Sequence, residues 1–344
     1  MIFLALLTFF GLHFRIISPF QKSDQYYFIP PKNKDIVVEI KGGFDEYDKV
    51  LFDYNYLDQE FSNKLELSGC KHCNAKLSTK SYSNDRDVVI AVGLKHPQDG
   101  LPNLRSLRST GCKARVVLIT EKNISDEFRE EFRKCGITIA YLPFIDEMNF
   151  SIAQAQTFRF PAMHDFLDHY SKRFDRVMYF DLFDTFFQKD PFYGITKNAL
   201  YISPERNNHT NSKISEVWTY SLEGLNFHRL YPGNNEIYCS GVFAGKMKAM
   251  KKVVDMNAAI IGRQWKHIAA DQAILNWMIY DNVLNEVGVK TIPHYEFASL
   301  CWTLLLYNGE YGKIRYHKET FTPAVLHQIN RNRMLFDKIK NLCL

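Results

Sequence analysis

From Asp87 onward, short apolar runs alternate with amphipathic stretches along the chain. "VVIAVG" (88–93) is a short apolar run of the kind found in strands buried on both faces, and "ARVVLIT" (114–120), "ITIAYL" (137–142) and "RVMYF" (176–180) read as further strands. Between the first two, "LPNLRSLRSTG" sets Leu101, Leu104 and Leu107 on one helical face and stops at Gly111. "SDEFREEFRKCG" opens on Ser125 as an N-cap, spaces Phe128 and Phe132 four apart, and stops at Gly136. "AQAQTFRFPAMHDFLDHYSKRF" predicts a longer helix that Pro161 kinks or divides. Strands alternating with helices predict an α/β fold, a mostly parallel sheet with helices on both faces.

The chain before Asp87 reads differently. Ile36–Ile40 is the one clear strand candidate, and residues 78–87 form a polar loop. The first residues, "MIFLALLTFFGLHF", are almost wholly apolar until Arg15. That run is shorter than the ~20 residues that span a bilayer, and suits a signal peptide or a short signal anchor extended by Ile16 and Ile17. The expected division is therefore an anchor or signal peptide at 1–20, a stem and peripheral segment at 21–85, and a catalytic domain at 86–344. The anchor contacts the membrane and leaves the rest of the chain in the secretory lumen.

Composition narrows the function classes. The 344 residues are 46% hydrophobic and 15% aromatic, enough for a deep core. The formal charge of +5 is spread along the chain without a run of like charges, so nucleic acid is not an expected partner. Three glycosylation sequons begin at Asn123, Asn149 and Asn208. The seven cysteines fit an oxidising compartment. "CKHC" lacks a second pair at zinc spacing, so a local Cys70–Cys73 disulfide is expected there. Cys112 and Cys135, each between a helix and a strand, are expected to lie close together.

Candidate chemistry starts where the fourth strand ends. "RVMYFDLFDTFFQKDPF" (176–192) runs from a buried strand into Asp181 and Asp184. Buried acids need a counter-charge or a metal, and ligands of open α/β sheets gather at the carboxyl ends of strands. Two carboxylates there can hold Mg²⁺ or Mn²⁺ against substrate phosphates. Neither a GxGxxG nor a GxxxxGK[ST] sequence follows any strand, which disfavours dinucleotide and P-loop enzymes.

"YFDLFDTFFQKDPF" resembles the acidic motif of GT-A glycosyltransferases, in which an apolar strand leads into Asp-x-Asp and on toward "FQ" and "DPF". Asp184 matches the principal metal-binding acid. The spacing here is Asp-x-x-Asp, so Asp181 falls either to the metal, to the nucleotide or to holding Asp184. "CSGVFAG" (239–245) is similar to the family's "N-[SA]-G-V" strand beside donor and acceptor, with Cys239 in place of Asn. "DQAILN" (271–276) resembles the "DQxxLN" helix start of retaining families, and "VLHQINR" (325–331) their late His segment.

That resemblance implies a GT-A fold and transfer of a sugar from a nucleotide-sugar, most often a UDP-sugar, to a glycan, protein or lipid acceptor. It implies Mn²⁺ or Mg²⁺ held by Asp184, His327 and Asp181. Arg159, Asp181, Ser240, Gly241 and Arg331 would bind the donor, with Asp271 or Gln272 beside the reacting sugar and Glu236 a further acid. Retention follows from "DQxxLN". The compartment implied is the Golgi or endoplasmic reticulum membrane. Two other readings stay open. "FDLFDTFF" also resembles the first motif of haloacid-dehalogenase-type phosphatases, with Asp181 as nucleophile and Thr185 on phosphate. A GT-A-like protein that binds without catalysis is the other.

Overall fold

The computed structural model describes residues 52–75, 77–142, 152–208, 235–261, 271–292, 297–299, 306–308, 314–316 and 322–344. The apolar amino terminus, the strand expected at Ile36–Ile40, Asn149 and Cys301 lie outside them. Among the described residues no helix is long and apolar enough to cross a membrane. The elements are α1 (Tyr54–Ser62), β1 (Asp87–Gly93), α2 (Leu101–Ser109), β2 (Arg115–Thr120), α3 (Asp126–Lys134), β3 (Ile137–Tyr141) and α4 (Ile152–Tyr170). There follow β4 (Arg176–Asp181), β5 (Phe186–Phe187), β6 (Leu200–Asn208), β7 (Glu236–Lys246), α5 (Met247–Ile261) and α6 (Asp271–Tyr280). The last are β8 (Val289–Thr291), β9 (Phe297–Ser299), β10 (Leu306–Asn308), β11 (Ile314–Tyr316), β12 (Val325–His327) and α7 (Arg333–Leu342).

Seven strands make one mixed, mostly parallel sheet in the order β3-β2-β1-β4-β7-β6-β8, so the α/β expectation holds. β1 pairs in parallel with β2 on one side and β4 on the other. The chain thus steps outward from β1 to β3, then returns across to β4. With right-handed connections, opposite steps put their helices on opposite faces and open a crevice at the carboxyl ends of β1 and β4. β7 runs antiparallel to β4, with Phe180 opposite Val242 at the end of their pairing. β6 carries Pro204 inside the sheet, tolerated because the β6–β7 register breaks there as a bulge. Val88, Val89, Ile90 and Ala91 of β1 are fully buried, as their uninterrupted apolar run requires.

Helix α3 begins and ends as its sequence predicts: Ser125 caps it, and Gly136 follows at φ 60°. Helix α4 is not divided at Pro161. Phe158, Phe160, Ala162, Met163 and Phe166 are all buried around the proline. Each large apolar side chain so buried stabilises by about 1.5–3 kcal/mol, together more than the roughly 3 kcal/mol an interior proline costs. Helix α1, in the segment read as peripheral, packs on α4. The Phe61 ring meets Tyr170 edge-on at 5.0 Å, and the Tyr54 hydroxyl donates to Asp165 Oδ2 at 2.6 Å.

The cysteines pair differently from expectation. Cys70 joins Cys135 and Cys73 joins Cys343, so "CKHC" is not a local disulfide. Cys112 is free and buried, its Sγ against the Ser83 hydroxyl at 3.3 Å, and Cys135 is taken by Cys70. The physical reason is the path of the 65–75 segment. It crosses the end of α3 and meets the carboxyl end of α7, where the Asn74 N–H donates to the Leu342 carbonyl at 2.6 Å. A second small core forms there from Cys73, Phe186, Leu326, Ile329, Ile339 and Cys343.

Candidate metal centre

Asp181 ends β4 and lies opposite Val92 at the end of β1, where the crevice opens. One further step of the β4–β7 register brings Asp181 to Gly241. A Cβ added at Gly241 would lie 2.5 Å from His327 Nε2 and 2.6 Å from Asp181 Oδ2, so a side chain at this point would fill the space these groups share. Glycine is required here for close approach.

The chain turns after Asp181 through Leu182, Phe183 and Asp184 into β5. β5 pairs antiparallel with β12, Phe186 opposite Leu326, and β12 ends on His327. The Ile329 N–H donates to the Asp184 carbonyl at 3.1 Å, closing this loop against the His327 segment. Two strands and one backbone hydrogen bond therefore carry a distant histidine to the acids.

Each of Asp181, Asp184 and His327 offers one ligand atom within 4.8 Å of the others. His327 Nε2 stands 3.3 Å from Asp181 Oδ2 and 3.4 Å from Asp184 Oδ1. Neither approach has hydrogen-bond geometry, and both His327 Nε2 and Asp184 Oδ1 are buried without a hydrogen-bond partner. Buried polar atoms left this way point to a missing ion or water. Two carboxylate oxygens and one imidazole nitrogen around a shared point suit a divalent cation such as Mn²⁺, with Mg²⁺ and Zn²⁺ also compatible with the donors.

The electrostatics favour a cation at the same point. Burial alone would raise the Asp181 carboxyl, but Arg159, His327 and Tyr179 outweigh it and lower it to about 2. Burial opposes protonation of His327, yet Cys239, Asp184 and Asp181 hold its pKa well above the ordinary value. A histidine that binds a proton so readily faces concentrated negative potential, which a metal would also meet.

Arg159, on α4, is 6% exposed and forms ion pairs with both Asp181 and Asp271. Burial opposes its charge, and the two carboxylates reverse that. The Tyr179 hydroxyl donates to Asp181 Oδ1 at 2.6 Å, and Ser240 Oγ to Asp271 Oδ2 at 2.7 Å. The Ser240 N–H donates to Gln272 Oε1 at 3.4 Å. A cavity of about 210 Å³ opens beside this network, lined by Val92, Lys95, Arg159, Asp181, Asp184 and Asn330 among others.

The sequence-derived candidates Asp181, Asp184, His327, Arg159, Ser240, Gly241, Asp271 and Gln272 are thus gathered at one strand end. Glu236 is not among them. It is exposed at the start of β7, about 16 Å of extended strand from Gly241. Arg331 is exposed on the 3-10 turn Ile329–Arg331, beside the cavity-lining Asn330 but outside the ion-pair network. Four participants carry no signal in the sequence. Tyr179 looks like any strand aromatic, and Lys95 like loop charge. Glu205 lies in β6, which has no readable motif. Cys239 looks like a loss, the usual Asn being absent, yet its Sγ lies 3.3 Å from His327 Nδ1. Burial raises the Glu205 carboxyl and pushes the Cys239 thiol up to about 12.

No protein-family model matches the chain, and no curated protein is significantly similar to it.

Proposed function

We propose that this chain is a divalent-metal-dependent glycosyltransferase of GT-A type. It would move a sugar from a nucleotide-sugar, by resemblance a UDP-sugar, to a glycan, protein or lipid acceptor. The observation that carries the reading is the convergence of Asp181, Asp184 and His327 within 4.8 Å, with two of their ligand atoms buried and unpartnered. These are the residues that the "FDLFD" and "VLHQINR" motifs nominate. A Mn²⁺ or Mg²⁺ ion held there would stabilise the negative charge of a departing nucleoside diphosphate.

The chain's own groups divide the remaining work. Asp184 and His327 hold the ion, and Asp181 completes the set while anchored by Arg159 and Tyr179. Arg159 couples the metal carboxylate Asp181 to Asp271, so both acids keep fixed positions. Ser240 orients Asp271 from the neighbouring strand. Asp271 and Gln272 then face the reacting sugar, steadying positive character at the anomeric carbon or orienting the acceptor. Retention of configuration rests on the "DQxxLN" likeness. Arg331, at the cavity rim, is available to a phosphate, and Glu236 takes no part. Two disulfides agree with the secretory lumen proposed for the domain, behind an anchor at residues 1–20 in the Golgi or endoplasmic reticulum membrane.

The phosphatase reading is weaker on this geometry. Asp181 Oδ1 is engaged by Arg159 and Tyr179, and Oδ2 shares its ligand point with His327, a histidine that the phosphatase motif does not supply. A binding protein without catalysis needs no such set of ligand atoms. The test is Mn²⁺-dependent release of nucleoside diphosphate from a panel of nucleotide-sugars, using the full chain and Asp184→Ala. Turnover of one donor, lost in the variant, supports the transferase. If every donor stays intact with Mn²⁺ and a broad acceptor mixture, the transferase claim fails.

A further inference from the structure

We propose that Cys239 is a positioning residue for His327, fixing through its thiol which ring nitrogen faces the metal. The inference rests on the metal-site reading above and concerns the opposite edge of the same imidazole. Strand β7 alternates its side chains between two faces. Ser240 meets Asp271 on one face, while Cys239 and Gly241 meet His327 on the other. Gly241 leaves room for the Nε2 edge of the ring, and Cys239 abuts the Nδ1 edge.

The hydrogen bonds around Cys239 identify its thiol as an acceptor. Its Sγ is 3.3 Å from His327 Nδ1, receives the Gly241 N–H at 3.4 Å and lies 3.9 Å from the donor Gln328 Nε2. All three neighbours are nitrogen atoms, and two of them carry hydrogens that only donate. Gln328 Nε2 also donates to the buried Glu205 carboxyl at 3.5 Å. Cys239 and His327 are 4% and 2% exposed, so water does not substitute for any of these partners.

A histidine that binds a metal through Nε2 must carry its proton on Nδ1, and that N–H needs an acceptor. Here the acceptor is sulfur. Cys239 and His327 therefore form a line toward the metal point, thiol then imidazole. Sulfur meets the ring on the edge away from Nε2, which makes Cys239 a support of the ligand and not a ligand itself. Without it, a buried Nδ1–H has no partner and the ring is free to turn or to change tautomer.

The test is Mn²⁺ binding to the full chain, read by the electron paramagnetic resonance signal of free Mn²⁺. Cys239→Ala is expected to weaken binding about 10- to 100-fold, the range for loss of such a partner. Cys239→Ser, which restores an acceptor, should recover most of that loss. Nitrogen-15 spectra of His327 with Mg²⁺ present should show the Nδ1–H tautomer in the wild type and a mixture in Cys239→Ala. If Cys239→Ala does not fold, Cys239→Val carries the test, since it fills the space without an acceptor for Nδ1–H and weakened binding is again expected. Wild-type affinity and tautomer in the folded variant would overturn the positioning role. That outcome, with Asp184→Ala unable to bind, leaves the metal site standing. A wild-type chain that binds no Mn²⁺ instead overturns the metal-site reading, and this inference with it.

Discussion

A Cβ at Gly241 would fall 2.5 Å from His327 Nε2 and 2.6 Å from Asp181 Oδ2, so the strand beside the acids must be bare at that one residue. Gly241→Ala should therefore push the histidine and the acid apart. The expected result is a folded protein, less stable by about 1–3 kcal/mol through overpacking, that no longer binds Mn²⁺. Urea denaturation and a metal titration on the same sample check both parts. A variant that binds Mn²⁺ normally would show that the two groups do not share a ligand point.

Arg159 is a buried cation between two acids, and that makes it the most sensitive charge in the site. Arg159→Met leaves Asp181 and Asp271 facing each other without a counter-charge. Breaking a buried pair this way destabilises by about 3–5 kcal/mol. Thermal unfolding should fall accordingly, with part of the loss recovered in Arg159→Met/Asp271→Asn. No recovery in the double variant would show that Asp271 is not the main source of the cost.

The Cys73–Cys343 bridge ties the end of α7 to the 65–75 segment. His327 precedes that helix, and Leu326, Ile329 and Ile339 share its small core. Cys343→Ser should cost about 2–5 kcal/mol and expose α7 to limited proteolysis. Its effect on Mn²⁺ binding should exceed that of Cys70→Ser, whose bridge ties the same segment to the end of α3 instead. Equal loss from both variants would contradict the link between α7 and His327.

Glu131 supplies a pH-dependent contribution away from the metal. Its hydrogen bond to Lys134 is the largest pull, burial opposes it, and Arg105 adds a second lowering contact. The folded pKa is thus below the unfolded value, which is about 4.3. The contribution is complete above the unfolded pKa and is lost as pH falls through the folded one. Glu131→Gln should be about 1 kcal/mol less stable than wild type at neutral pH. In acid the difference should vanish, as the wild-type carboxyl also becomes neutral. A gap that persists at low pH would assign it to packing.

Much of the fold was legible because the inner strands are buried on both faces. Val88–Ala91 and Val177–Phe180 have no polar position to misread, and Ser125 and Gly136 mark their helix with local chemistry. The acids Asp181 and Asp184 stood out for the same reason, as charge where an apolar run stops. The disulfides were not legible. Cys70 and Cys73 are near neighbours in sequence, but their partners are chosen by the path of the loop over α3 and α7. Pro161 misled in the opposite way: its local cost is real and the burial of Phe158, Phe160 and Phe166 outweighs it. Cys239 could be read only by position, and its contact with His327 depends on a pairing between β5 and β12 that no local pattern announces.

The central claim is a nucleotide-binding metal site built on Asp184, and one measurement addresses it most directly. Binding of UDP to the full chain should be followed by calorimetry with and without Mn²⁺, beside Asp184→Ala. The account predicts UDP binding that requires Mn²⁺ and disappears in Asp184→Ala while the variant stays folded. Nucleotide binding that ignores both the metal and Asp184, or a chain that binds neither UDP nor any other nucleoside diphosphate, would contradict it.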